Sequence, residues 1–222
     1  MINIAIDGTT SSGKSSIAAS LCNLLGFERL NTGEIYRGIA CRFKRLGFKK
    51  VDSQSIQKLM SDIDIHIEFH AGKQHTIVCG VDETSGLRTE EISLLTSEIA
   101  PYKIVRDEVL KIQRDFAAKH NCVMEGRDIT TEVLPNADIK FFITASPEIR
   151  AMRRYKEFEG KPNAPTYEQV LSDLIERDRR DENREFGRLT IAPDAIVIDT
   201  SNLTLEEGVK LCEKYVRQKL KI

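Results

Sequence analysis

The chain has 222 residues, 41% of them hydrophobic, enough for one α/β domain with a small insertion. Its 33 basic and 34 acidic residues leave a net charge of −1, which argues against a sequence-independent nucleic-acid binder. No apolar run approaches the ~18 residues of a membrane span, and the five cysteines, odd in number and without C-x-x-C spacing, read as reduced, mostly buried thiols of a cytoplasmic protein.

The chain opens directly into an apolar run at residues 2–6, suited to a buried strand, with no targeting segment ahead of it. Gly8-Thr9-Thr10-Ser11-Ser12-Gly13-Lys14-Ser15 follows and fits G-x-x-x-x-G-K-[ST] without gaps. Ile17, Leu21, Leu24 and Leu25 then recur at helical spacing. A strand, this loop and a helix form the context in which such a loop holds phosphate. Its glycines let backbone N–H groups wrap the anion, and the helix dipole favours negative charge there. Lys14 reaches the outer phosphates, and the Ser15 hydroxyl suits Mg²⁺.

Asn31-Thr32-Gly33-Glu34-Ile35-Tyr36-Arg37 offers a hydroxyl, an aromatic ring and a guanidinium, suited to an acceptor carrying sugar and phosphate. An ordinary helix start with Thr32 as N-cap reads equally well. Ile63, Ile65, Ile67 and Phe69 alternate with Asp64, His66, Glu68 and His70, the pattern of a half-exposed antiparallel strand. With residues 76–79 beyond a turn at Gly72, this predicts a β-rich insertion over about 63–90. His66, Glu68 and His70 share one exposed strand face and lack the order of a zinc helix motif, so no metal is expected there.

Val105, Val109, Ile112 and Phe116 mark a helix, and residues 122–124 a strand. Glu125-Gly126-Arg127-Asp128 then stands at that strand's carboxyl end, where parallel sheets bind ligands. A structural Arg–Asp pair is the alternative. Residues 139–143 form the next strand. Arg150, Arg153 and Arg154 share a helical face before the Gly/Pro-rich stretch 160–165, a lid candidate over about 150–166. Arginines on a closing lid would supply charge and exclude water; a solvated basic face paired with Glu157 is the alternative. Tyr167, Val170, Leu171, Leu174 and Ile175 mark a helix that runs into the charge run 176–184. There Arg177, Asp181 and Arg184 fall on one face, with Asp178, Arg179 and Glu182 on the other. A strand at 195–199 and a helix marked by Leu205, Val209, Cys212, Val216 and Leu220 close the chain. Strand–helix alternation predicts a parallel sheet with helices on both faces. No guanine-reading N-K-x-D segment is present, which removes the GTPases.

The order and spacing of Ile4-Ala5-Ile6-Asp7-Gly8 with the phosphate loop, Asn31-Thr32-Gly33 with Tyr36-Arg37, Gly126-Arg127-Asp128-Ile129, Ala145-Ser146-Pro147 with Arg150 and Arg153-Arg154-Tyr155, Arg177-Asp178-Arg179-Arg180-Asp181 with Asn183-Arg184, and Ile198-Asp199-Thr200-Ser201 resemble the bacterial cytidylate kinases across nearly the whole chain. The resemblance implies a single α/β P-loop kinase domain over residues 1–222, with a parallel core sheet flanked by helices, an acceptor-binding β-rich insertion and a lid. It implies ATP with Mg²⁺ as donor, CMP or dCMP as acceptor, and a cytoplasmic monomer with neither nucleic-acid polymer nor membrane as partner. Gly8, Thr9, Thr10, Ser11, Ser12, Gly13, Lys14, Ser15 and Ser16 would bind ATP, with Ser15 on Mg²⁺ partly through water and the ATP phosphates. Ser97, Arg106 and Asp128 would read the cytosine, and Asp181 with Thr32 would hold the ribose. Tyr36 would help bind the acceptor. Arg37, Arg127, Arg177 and Arg184 would surround its phosphate or the transferring group. Lys14, Arg127, Arg153, Arg154, Arg177 and Arg184 would carry the catalysis. Ser97 and Arg106 rest on the match of Thr96-Ser97-Glu98-Ile99-Ala100 through Val105-Arg106, which follows Leu87-Arg88-Thr89. The chain departs from the family's usual residues at Thr9, Thr10, Ser11, Glu34, Glu125, Thr131 and Arg188. A kinase for another acceptor, such as UMP or AMP, and a non-catalytic nucleotide-binding regulator are the competing readings.

Overall fold

The computed structural model describes residues 1–70, 72–87, 89–160 and 164–221. Arg88, and Lys161, Pro162 and Asn163 of the expected lid, lie outside the described residues. In chain order the first elements are β1 (Asn3–Gly8), α1 (Lys14–Leu25), β2 (Glu28–Asn31), α2 (Thr32–Arg45) and α3 (Ser53–Met60). Next come β3 (Ile65–His70), β4 (Lys73–Val78), β5 (Val81–Asp82), α4 (Glu90–Ile99) and α5 (Lys103–Lys119). The last are β6 (Cys122–Gly126), β7 (Ile139–Thr144), α6 (Pro147–Lys156), α7 (Tyr167–Glu182), β8 (Ile196–Asp199) and α8 (Leu205–Leu220). They divide into two compact units, Met1–Arg29 with His120–Ile222, and Leu30–Lys119.

The first unit is built on a sheet of order β2-β6-β1-β7-β8. β1 pairs in parallel with β6 and with β7, and β7 in parallel with β8. The central strands are apolar because both their faces are covered. Ile4, Ile6, Val123, Phe141 and Ile143 pack with Ile17, Leu21, Val209, Cys212 and Val216 from α1 and α8. The predicted strands and the parallel order are as expected. β6 runs two residues beyond the predicted 122–124, so Glu125 and Gly126 belong to the strand itself. β1 ends at Gly8, where a Cβ would stand 1.9 Å from the Ile143 carbonyl oxygen, so only glycine fits.

The second unit carries the antiparallel sheet β3-β4-β5. Ile65, Ile67 and Phe69 are half-buried while His66, Glu68 and His70 are exposed, as period two predicts. Ile63 lies outside the strand. Gly72, at φ 74°, turns the chain so that His70 pairs with Lys73. α2 lies tight against β4: a Cβ on Gly38 would come within 2.7 Å of the Thr76 methyl. Asn31, not Thr32, occupies the cap of α2, and Thr32 is the first helical residue. Gln74 holds the Asn31 peptide at both ends, accepting its N–H at 2.8 Å and donating to its carbonyl at 3.1 Å.

Candidate active site

Most helices of this protein start under a side-chain cap. Asp52, Thr89, Ser146, Thr166 and Thr204 each accept an N–H from the first turn of α3, α4, α6, α7 and α8. α1 does not. Gly13 stands at its cap with φ 90°, and no carboxylate lies in its first turn. The first N–H groups of α1 are thereby left to an anion. α2, which opens the segment singled out above, also starts without a side-chain cap.

The loop ahead of α1 is shaped from inside and gripped from outside. The Ser12 hydroxyl donates to the Thr9 carbonyl at 2.9 Å, and Lys14 Nζ to the same carbonyl at 2.7 Å. Ser11 takes φ 59°, a left-handed conformation that lets the chain fold back. The Thr9 hydroxyl oxygen is buried without a hydrogen-bond partner. From α6, the buried Arg150 donates to the Ala145 carbonyl at 2.8 Å and the Thr10 carbonyl at 3.2 Å. Arg150 also pairs with the buried Asp178 of α7, whose carboxylate accepts the Thr10 N–H at 3.4 Å. On another side the buried Thr200 hydroxyl donates to the Ser12 carbonyl at 2.9 Å. Arg153 donates to that hydroxyl at 3.0 Å and to the Thr200 carbonyl at 2.7 Å. Arg154 is exposed, pairs with Glu157 and lies 4.8 Å over the Phe158 ring. The three arginines that spacing groups on one face of α6 thus have three different surroundings.

A second cluster stands at the carboxyl ends of β6 and α7. Arg127 donates to Asp181 at 2.8 Å and to the Thr10 hydroxyl at 2.8 Å. Arg184 meets the other Asp181 oxygen at 2.5 Å. Burial alone would raise the Asp181 carboxyl, but Arg127, Arg184 and Arg177 hold it below the usual carboxylate range. Two expectations need correction. α7 ends at Glu182, so Arg184 reaches Asp181 from beyond the helix rather than along its face. Asp178, which spacing puts on the side of α7 away from Arg177, Asp181 and Arg184, is buried as the partner of Arg150 rather than solvated. Lys14 is buried close to this cluster, and desolvation, reinforced by Arg127 and Arg177, pushes its ammonium well below the ordinary lysine value.

Ser15 and Glu125 supply hard oxygen donors. The Ser15 hydroxyl donates to Glu125 at 2.5 Å, and Arg29 stands 3.8 Å from the other Glu125 oxygen while donating to the Ser15 carbonyl at 3.3 Å. Ser16 is exposed on the first turn of α1. Asp128 is buried directly after Arg127 and precedes one turn of π-helix, Ile129–Val133. The second unit holds the remaining expected residues. Thr32 is buried, and Tyr36 and Arg37 are half-buried on α2. Ser97 donates to the Ser93 carbonyl at 3.1 Å along α4, and Arg106 lies in the first turn of α5.

Sequence reading gave no role to Glu125 and Thr200, which this geometry ties to Ser15 and to the loop. Glu125 had a signal, a lone carboxylate in an otherwise apolar strand beside a glycine that opens a loop. Thr200 stood inside the Ile198-Asp199-Thr200-Ser201 match, but its reach to Ser12 is written in no local pattern. Among the described residues no cluster of histidine, cysteine and carboxylate suits a metal, no disulfide forms, and no helix is long and apolar enough to cross a membrane.

A family model described as cytidylate kinase matches residues 4–218. The cytidylate kinase of Citrifermentans bemidjiense is 39% identical, with 98% of this chain and 93% of that protein aligned. That of Halalkalibacterium halodurans is 38% identical over 99% of both chains. Among solved structures, an uncharacterized protein from Eubacterium ventriosum superposes with a TM-score of 0.52 at 15% identity, covering 97% of this chain and 98% of that one. It shares the fold.

Proposed function

The chain belongs to the cytidylate kinase family, and we propose that it moves the terminal phosphoryl group of ATP onto CMP and dCMP by in-line transfer, without a covalent intermediate. It is a nucleoside monophosphate kinase by family. The observation that carries the finer reading is the first unit's polar core: Lys14 in its loop beside Arg127 and Arg184 on a buried Asp181. Phosphoryl transfer needs two polyanions held in line and charge placed on the equatorial oxygens, rather than a nucleophilic side chain.

On this reading residues 8–16 cradle the donor phosphates through backbone N–H groups, and Lys14 meets the outer ones. Ser15 and Glu125 fit Mg²⁺, which prefers hard oxygen ligands and would neutralise charge between the donor phosphates. Arg127, Arg177 and Arg184 turn to the acceptor phosphate and the transferring group, with Asp181 holding two of them and meeting the ribose. Asp128 reads the base, since its carboxylate accepts from the amino group that cytosine carries and repels the carbonyl that uracil carries. Thr32, Tyr36, Arg37, Ser97 and Arg106 are assigned to the acceptor by the same family match. Arg153 and Arg154 of α6 add positive charge for the transfer.

The test is ADP release from ATP and Mg²⁺ with CMP, dCMP, UMP or AMP as acceptor. Release that depends on CMP and dCMP supports the reading. Release with another acceptor alone, or ATP binding without acceptor-dependent release, overturns it.

A further inference from the structure

Asp7 takes no part in the chemistry above, yet it is among the most enclosed charged groups of the protein, with no exposed surface. Its place is the last position of β1 before the loop glycine, and its hydrogen bonds run sideways. One carboxylate oxygen accepts the Ile129 N–H at 2.9 Å. The other accepts the Thr130 N–H at 2.7 Å and the Thr130 hydroxyl at 2.6 Å. These donors directly follow Arg127 and Asp128.

The chain is fixed on the far side of Asp128 as well. The Asp128 carbonyl accepts the Glu132 N–H at 2.8 Å and the Val133 N–H at 3.1 Å, the wide bonding of a π turn. The peptide after Asp128 therefore has its carbonyl tied to the turn and its N–H tied to Asp7, and the backbone that aims the Asp128 side chain has little freedom. A joint that only fastened the turn to β1 could use a neutral acceptor. Burying a carboxylate is costly even with donors, and burial raises this one from 3.8 to about 6 despite three hydrogen bonds. What the charge adds is strength and direction at the peptide next to Asp128.

We propose that Asp7 is a positioning residue for base recognition: its buried carboxylate fixes where Asp128 presents its own, and so sets how sharply CMP is preferred over UMP. This rests on the reading that Asp128 meets the base. Discrimination between an amino donor and a carbonyl acceptor depends on the carboxylate standing at hydrogen-bond distance, so a small displacement erodes selectivity.

The experiment measures kcat/KM for CMP and UMP at saturating ATP in the wild type and in Asp7→Asn, Thr130→Val and Asp128→Ala. Asp7→Asn turns one acceptor into an amide that opposes an N–H. Thr130→Val removes only the hydroxyl bond and serves if the first variant fails to fold. The CMP/UMP ratio is expected to fall about tenfold in Asp7→Asn and by less in Thr130→Val, with KM for ATP little changed. A merely structural role would lower both acceptors equally. An unchanged ratio in Asp7→Asn and Thr130→Val beside a collapsed ratio in Asp128→Ala overturns the role of Asp7. An unchanged ratio in Asp128→Ala overturns the reading of Asp128 itself, and the inference with it.

Discussion

Around the phosphate loop, polar side chains are buried or half-buried and tied to one another. Arg150 with Asp178, Arg153 with Thr200, and Arg127 with Asp181 each reach the loop or a residue that does. On the small sheet β3–β5 and the helices of its unit, several polar pairs face water, among them His70 with Glu68 and Lys44 with Glu91, while Arg42, buried beside Asp62, is the exception. The first arrangement fixes a backbone shape before any nucleotide arrives. The second leaves shape mostly to apolar packing, with Gly38, the Gln74 amide and Arg45, which donates to the Val78 carbonyl at 3.1 Å, setting how α2 meets β4. A buried charge is worth most when it has one geometry to impose, because a partner left alone in the interior is costly.

Breaking one pair in each region makes the contrast quantitative. Arg150→Met strands the Asp178 carboxylate and frees the Thr10 carbonyl, so it is expected to cost about 3–5 kcal/mol of stability by urea denaturation. A loss below about 1 kcal/mol would mean the pair does not hold the loop. Lys14→Met is expected to lower turnover with CMP by about 10²–10³ while the circular-dichroism melt stays near that of the wild type, since it removes a single donor to developing charge. A folded variant with near-normal turnover would contradict the assignment.

Asp7 adds a pH dependence of definite sign. Its carboxyl is raised from 3.8 to about 6, first by burial. The folded chain then binds more protons than the unfolded one between those values. The stability Asp7 contributes is full below 3.8 and is lost as pH rises through about 6. Asp7→Asn lacks this loss. The stability difference between wild type and variant should therefore shift toward the variant by roughly 1.5 kcal/mol between pH 5 and 7.5. A constant difference would mean that Asp7 does not titrate in this range. The smallest effect belongs to the other region. Lys44→Ala breaks an exposed pair with Glu91 and should cost less than about 1 kcal/mol, with CMP turnover unchanged. A larger loss would show that the outer pairs also carry structure.

The same contrast explains what could be read ahead of the structure. Strands β1, β6, β7 and β8, the phosphate loop and the β3 alternation follow from local pattern, because burial on one or both faces writes itself into neighbouring residues. The grip on the loop does not. Asp178 lies 28 positions from Arg150, and Thr200 lies 188 from Ser12. Spacing places Arg150, Arg153 and Arg154 on one face, but α7 packs against only part of it, so Arg150 is buried while Arg154 meets Glu157 in water. The π turn after Asp128 escapes for a related reason. Its bonds are set by Asp7 from another strand, not by the propensities of residues 129–133. Helix ends are less legible than helices: Asn31 takes the cap that the alternative reading gives to Thr32, and Arg184 falls past the end of α7.

Whether Asp128 chooses the base is tested most directly by kcat/KM for CMP and UMP in the wild type and Asp128→Ala. A buried carboxylate that pairs with the amino group of cytosine predicts a loss of roughly 10²-fold for CMP, about 2.7 kcal/mol. UMP should change far less, so the CMP/UMP ratio collapses. Equal losses for the two nucleotides would contradict the account and leave Asp128 a structural partner of the neighbouring arginines.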